Sequence, residues 1–194
     1  MTRSIDFYFD FISPYSYLAF KKIEILKMKN SININFKPIL LGGLHKLGGI
    51  TAPAFNDRKM KNMKNDCILV AKKNNINFYW NNKFPINTLE LMRGYLSIEK
   101  EKREKYFKTC FDAYWKNNLD ISDPSIKNNI LELCQLDIKK FFEDIKKEEI
   151  KKKLKDLTSV AFENDIFGAP TFVVNEKIFW GQDRLEYALD EYYS

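Results

Sequence analysis

The chain has 194 residues, 45% of them hydrophobic, and a formal charge of +6, enough for one core, or one core with a packed insertion, which is favoured over two fully independent domains. No apolar run approaches the roughly 20 residues that span a bilayer, so a soluble protein without a cleaved signal and without a membrane partner is expected. The lysines are interleaved with acids, as in Lys146-Lys147-Glu148-Glu149-Ile150-Lys151, which reads as a solvated helix face and not as a nucleic-acid surface; Cys67, Cys110 and Cys134 have no C-x-x-C spacing, which argues against a disulfide framework and against any metal site and favours a reducing compartment.

Residues 4–10 alternate Ile5, Phe7 and Phe9 with other side chains and read as a strand. A helix follows from Pro14, whose missing N–H suits a first helical position, with Leu18, Ile23 and Leu26 on one face and its end at Met28. Residues 32–41 form a second strand, giving β-α-β. Through residues 46–144 apolar positions recur at three- and four-residue spacing, as in Leu89, Met92, Tyr95, Leu96 and again in Tyr106, Cys110, Ala113, Tyr114, which predicts a mostly helical block. A further helix spans 147–164, Gly168-Ala169-Pro170 makes a turn, and Thr171–Val174 and Lys177–Trp180 form a hairpin around Asn175-Glu176. Residues 183–192 close the chain as a helix. This order assembles one four-stranded sheet if the helical block is an insertion.

Ser13 stands where the first strand ends and the first helix begins, a place where unpaired amides and the helix dipole favour an anion. A plain N-cap explains a serine there equally well. A nucleophilic serine needs a base, and the only histidine, His45 in Leu44-His45-Lys46, has no motif around it; we read it as incidental. The remaining use of Ser13 is to donate a hydrogen bond to an imported thiolate and lower that thiol's pKa. Ala169-Pro170-Thr171 opens a strand either as an ordinary trans proline or through a cis bond that would turn the Ala169 N–H and C=O toward a peptide-like ligand. Trp180-Gly181-Gln182-Asp183-Arg184 is either a simple helix cap or a site where amides hold an α-carboxylate and Asp183 pairs with the α-amino group.

In Phe9-Asp10-Phe11-Ile12-Ser13-Pro14-Tyr15-Ser16-Tyr17-Leu18, Phe167-Gly168-Ala169-Pro170-Thr171-Phe172 and Phe179-Trp180-Gly181-Gln182-Asp183-Arg184, the chain resembles the 2-hydroxychromene-2-carboxylate isomerases and the kappa-class glutathione transferases, in the DsbA-like branch of the thioredoxin superfamily. The resemblance implies an α/β, thioredoxin-like fold with a large all-helical insertion domain: residues 1–45 and 147–194 form the thioredoxin-like part and 46–146 the insertion. It implies glutathione as cofactor, with Ser13 as the catalytic residue that holds and activates its thiol. The family also places Pro14 and Tyr15 in the glutathione site, Ala169 and Pro170 against the cysteinyl part, and Gln182 and Asp183 at the γ-glutamyl end. Lys59, in Asp57-Arg58-Lys59, resembles the family lysine that reaches the glycine carboxylate, although Lys61 and Lys64 lie close by. One departure stands out: kappa-class members carry an asparagine upstream of that lysine, and Gly48-Gly49-Ile50-Thr51 has none.

Ser13-Pro14-Tyr15-Ser16 stands where a dithiol oxidoreductase would have Cys-x-x-Cys, so disulfide exchange by the protein itself is not expected. The resemblance implies a cytoplasmic enzyme, or one in a reducing organelle lumen, that interconverts 2-hydroxychromene-2-carboxylate and trans-o-hydroxybenzylidenepyruvate through reversible thiolate addition. The Trp-Gly-Gln-Asp-Arg ending is closer to the isomerases. The alternatives are a kappa-class-like transferase or peroxidase acting on small electrophiles, and a non-enzymatic thioredoxin-fold protein. A homodimer is implied by likeness alone. Phe78, Tyr79, Trp80, Phe84 and Trp115 supply apolar surface for a second pocket or for the core, and the core is the commoner use.

Overall fold

The computed structural model describes residues 3–27 and 32–194. The chain runs β1 (Ile5–Phe9), α1 (Pro14–Lys27), β2 (Ile34–Pro38), α2 (Leu41–Leu47), a 3-10 turn (Pro53–Phe55), α3 (Asp57–Lys73), α4 (Leu89–Ser97), α5 (Lys100–Phe111) and a π-helical turn (Asp112–Lys116). It continues through α6 (Pro124–Leu133), α7 (Ile138–Asp144), α8 (Glu148–Glu163), β3 (Thr171–Val174), β4 (Lys177–Trp180), a 3-10 turn (Gln182–Arg184) and α9 (Leu185–Tyr193). The expected end of the first helix at Met28 falls outside the described residues.

Among the described residues the strands form one four-stranded sheet in the order β2-β1-β3-β4. β1 runs parallel to β2, with Phe7 beside Phe36, and antiparallel to β3, with Phe7 beside Phe172; β4 pairs antiparallel with β3. A central strand is covered on both faces and so carries apolar side chains on both. Ile5, Phe7 and Phe9 are fully buried on one face, where Phe7 stacks on Phe172 at 5.3 Å and Phe9 meets Phe107 edge-on at 4.6 Å. On the other face Tyr8 and Val173 pack against Ile39, Leu44, Ala161 and Ile166.

The second strand is shorter than the expected 32–41. Beyond Ile39, whose N–H still reaches Phe9 O at 3.0 Å, the Leu40 N–H goes to Thr158 Oγ1 and the Leu41 N–H to the Asp10 carboxylate. Those two diversions end the ladder and start α2. The β3–β4 hairpin turns at Asn175 and Glu176, which both sit in the left-handed region at φ 48° and 66°, as a two-residue turn matched to strand twist requires. Among the described residues no helix is long and apolar enough to cross a membrane.

Candidate active site

The loop leaving β1 is held by Asp10, which is fully buried. One carboxylate oxygen accepts from the Ile12 N–H at 3.1 Å and the Thr88 hydroxyl at 2.6 Å; the other accepts from the Leu41 N–H at 2.8 Å. A single side chain therefore ties together the β1–α1 loop, the first residue of α2 and the residue that precedes α4. Burial pushes its pKa above the usual carboxyl value, with the bond from Thr88 and the backbone N–H bonds acting in the opposite direction. Sequence reading gave Asp10 no role. The available signal was an acid between two phenylalanines, since a charge in such a setting is retained only with partners.

Ser13 follows at the head of α1 and is 4% exposed. Its Oγ accepts from the Ser16 N–H at 3.1 Å, the bond of an N-cap, and donates to Ala169 O at 2.8 Å. The N-cap reading of this serine is thus seen directly, and the hydroxyl hydrogen goes to a backbone carbonyl of the facing turn. The Ala169–Pro170 peptide bond is cis. Thr171 Oγ1 donates to Gly168 O at 2.7 Å, and the Gly181 N–H reaches Pro170 O at 3.0 Å, which joins this turn to the end of β4. Gly181 adopts φ 113°, and a Cβ there would lie 2.6 Å from an Asp183 carboxylate oxygen, so glycine is needed at this corner.

Ser13, Pro14, Tyr15 and Ala169 line a cavity of about 590 Å³ that also receives Lys59 from α3, His45 from α2, Thr88 and Phe84. Ile50, Phe55, Phe167 and Trp180 complete apolar walls, with the rings of Phe167 and Trp180 4.8 Å apart. Lys61 and Lys64 are not part of this lining, which singles out Lys59 among the neighbouring lysines. Ile50 and Thr51, from the stretch without the family asparagine, do line it. Pro170 is not a lining residue, nor are Gln182 and Asp183. The Gln182 side chain is buried and its Oε1 accepts from Lys22 Nζ at 2.6 Å, whereas Asp183 is exposed and pairs with Arg184 at 3.0 Å.

The aromatics of the helical block divide. Phe84 lines the cavity. Trp115 is fully buried, donates from Nε1 to Phe11 O at 2.9 Å and stacks on Phe78 at 5.7 Å; Trp80 packs against Phe84 at 5.0 Å, and Tyr79 is exposed. Trp115 lies in the π-helical turn, so this irregular turn delivers an indole to the underside of the Ser13 loop.

The charges in and near the cavity have distinct states. Burial, with Cys67 and Asp66 nearby, pushes the Tyr15 phenol well above its ordinary value, so it stays protonated. Burial also raises all three thiols, Cys67, Cys110 and Cys134, and none is disulfide-bonded. A thiol held protonated in an apolar setting is a poor nucleophile. His45 is half-buried, and burial alone lowers its pKa. His45, Thr88, Phe167 and Trp180 were not among the site residues expected from the sequence, because only the fold brings four separate segments to one cavity.

This sheet, with the Ser13 hydroxyl at the head of α1 facing the Ala169–Pro170 turn, defines a thioredoxin-like protein with a serine at the start of its first helix. A family model described as a DSBA-like thioredoxin domain matches residues 4–193. The chain belongs to that family. It is 28% identical over 189 residues to a 2-hydroxychromene-2-carboxylate isomerase of Sphingobium xenophagum, covering 96% of each chain. It is 26% identical over 205 residues to glutathione S-transferase kappa 1 of Homo sapiens, covering 96% of this chain and 89% of the relative. A solved 2-hydroxychromene-2-carboxylate isomerase superposes with a TM-score of 0.87 at 23% identity, over 96% of this chain and 92% of that one; at that identity the likeness speaks for the fold.

Proposed function

We propose that this protein is a glutathione-dependent isomerase of a conjugated aromatic keto acid, of the 2-hydroxychromene-2-carboxylate type, with Ser13 holding and activating the thiol of the cofactor. The observation that carries the reading is the Ser13 hydroxyl, a donor at the head of a helix on the wall of a large apolar cavity, in a chain whose own thiols are buried and held protonated.

The residues present fit a glutathione molecule. The Ser13 Oγ–H, now given to Ala169 O, is free to rotate toward a thiolate, and the α1 amides add positive potential. Among the described residues the Ala169 N–H has no hydrogen-bond acceptor, which suits pairing with a peptide-like backbone. Pro14 and Tyr15 line the seat of the cysteinyl part around that amide, and Pro170 follows it in the chain. The Lys59 ammonium supplies the donor for a carboxylate. Gln182 and Asp183 follow Trp180 and Gly181 in the chain, and the exposed Asp183 carboxylate is the group to meet an α-amino cation. When bound, glutathione supplies a nucleophile for reversible addition to a conjugated alkene, which frees rotation about that bond.

Residues 1–45 and 147–194 then act as the thioredoxin-like unit that carries Ser13, Ala169 and Asp183, and residues 46–146 as the helical insertion that contributes Lys59 and the apolar wall at Phe55 and Phe84. Free, buried cysteines fit a reducing compartment rich in the cofactor.

The test is to incubate the protein with trans-o-hydroxybenzylidenepyruvate and a small fraction of one equivalent of glutathione. Conversion to 2-hydroxychromene-2-carboxylate with the thiol recovered supports the isomerase. A stable conjugate assigns the protein to the transferase alternative, which its similarity to kappa-class relatives keeps in view. No reaction of either kind contradicts both.

A further inference from the structure

The proposed reaction contains a proton transfer that the roles of Ser13 and Lys59 leave unassigned. A 2-hydroxychromene-2-carboxylate is a cyclic hemiketal: its C2 carries a hydroxyl and the ring oxygen. Opening it to a phenol and a ketone requires the hydroxyl proton to leave and a proton to arrive on the departing phenolic oxygen.

Among the described residues four titratable side chains line the cavity: Asp10, Tyr15, His45 and Lys59. The Asp10 carboxylate is committed to Ile12, Thr88 and Leu41. Tyr15 is held as a phenol by burial and by its neighbours Cys67 and Asp66. An ammonium such as Lys59 offers donors and no acceptor. His45 differs from all three. Its pKa is lowered by burial with no charge or hydrogen bond contributing, so the ring is neutral near pH 7, with one nitrogen able to accept and the other able to donate. The cations on the far side of α2, Arg93, Lys151 and Lys155, line a separate groove behind Gly43 and Leu47.

We propose that His45 is the general acid–base of this site, carrying the proton between the C2 hydroxyl and the ring oxygen of the substrate as the hemiketal opens and closes. In the opening direction the C2 O–H bond breaks and its proton passes to the imidazole. The electron pair left on that oxygen becomes the second bond of the ketone. The bond from C2 to the ring oxygen breaks with its pair going to the phenolic oxygen, and the imidazolium returns the proton there. No oxidant or further reactant is consumed. This inference rests on the isomerase reading and revises the expectation that His45 is incidental.

Because His45 is the only histidine, its ring is a single reporter. The experiment compares wild type with His45→Phe and His45→Gln. It measures glutathione affinity by calorimetry, the imidazole C–H resonance of wild type with and without trans-2-hydroxycinnamate, and the pH profile of kcat. The expected result is glutathione affinity within about twofold of wild type in both variants and a wild-type imidazole signal that moves on adding the cinnamate. The kcat should fall by about 10²-fold, with loss of the acid limb of the profile. Wild-type kcat and pH profile in the variants, or an imidazole signal that the cinnamate leaves unmoved, overturns the role of His45. The imidazole measurement needs no variant and so decides even if a substitution unfolds the chain. Failure of wild type to bind glutathione contradicts the isomerase reading itself and is seen separately.

Discussion

Asp10 and Lys59 show how differently two charges serve one cavity. Asp10 is buried and its pKa is raised, so the folded chain holds its proton more tightly than the unfolded chain does. Its contribution to stability is therefore greatest in acid, below the ordinary carboxyl value, and is lost as pH rises through the folded value. Asp10→Asn is always neutral, so the stability of wild type relative to that variant should decline as pH rises above the ordinary carboxyl value; denaturant midpoints at successive pH values check the sign. Lys59 is exposed at the cavity wall, and in the proposed function it serves the carboxylate of the ligand. Lys59→Met should weaken glutathione binding by about tenfold, worth ~1.4 kcal/mol, while Lys61→Met leaves it unchanged. The place of Ser13 between a strand and a helix was legible in the sequence, whereas the surroundings of Asp10 and His45 were not, because Thr88, Leu41 and the cavity wall are distant in sequence.

At the scale of elements, local signals worked where the chemistry is local. The hairpin at Asn175-Glu176 lies between two short apolar runs, and the strands form at Thr171–Val174 and Lys177–Trp180. Glu176 pays a conformational cost at φ 66°; Glu176→Gly should raise stability by about 0.5–1 kcal/mol, seen as a higher midpoint with an unchanged denaturant slope. The end of β2 was misjudged because two side chains, Thr158 and Asp10, capture the next amides. Gly94 within α4 illustrates a constraint that periodicity does not reveal. A Cβ there would fall on the Phe141 ring and within 2.7 Å of the Tyr106 hydroxyl. Gly94→Ala should therefore cost about 1–3 kcal/mol despite the better helix propensity of alanine.

For the whole molecule, the four-stranded sheet and the helical block followed from the order of the elements, and the aromatic inner face of β1 was visible as Ile5, Phe7 and Phe9. The position of the 590 Å³ cavity was not, since its wall draws on segments from Asp10 to Trp180. The central claim is that this fold borrows a thiol and activates it with Ser13. The measurement that tests it most directly is a calorimetric titration of wild type and Ser13→Ala with reduced glutathione, with the ultraviolet thiolate absorbance of each complex followed from about pH 5 to about 9. The account requires saturable binding to wild type with thiolate present below the ordinary thiol range, and a Ser13→Ala complex whose thiolate signal appears only at higher pH. No binding by wild type, or a thiolate signal indifferent to the loss of the Ser13 hydroxyl, contradicts it.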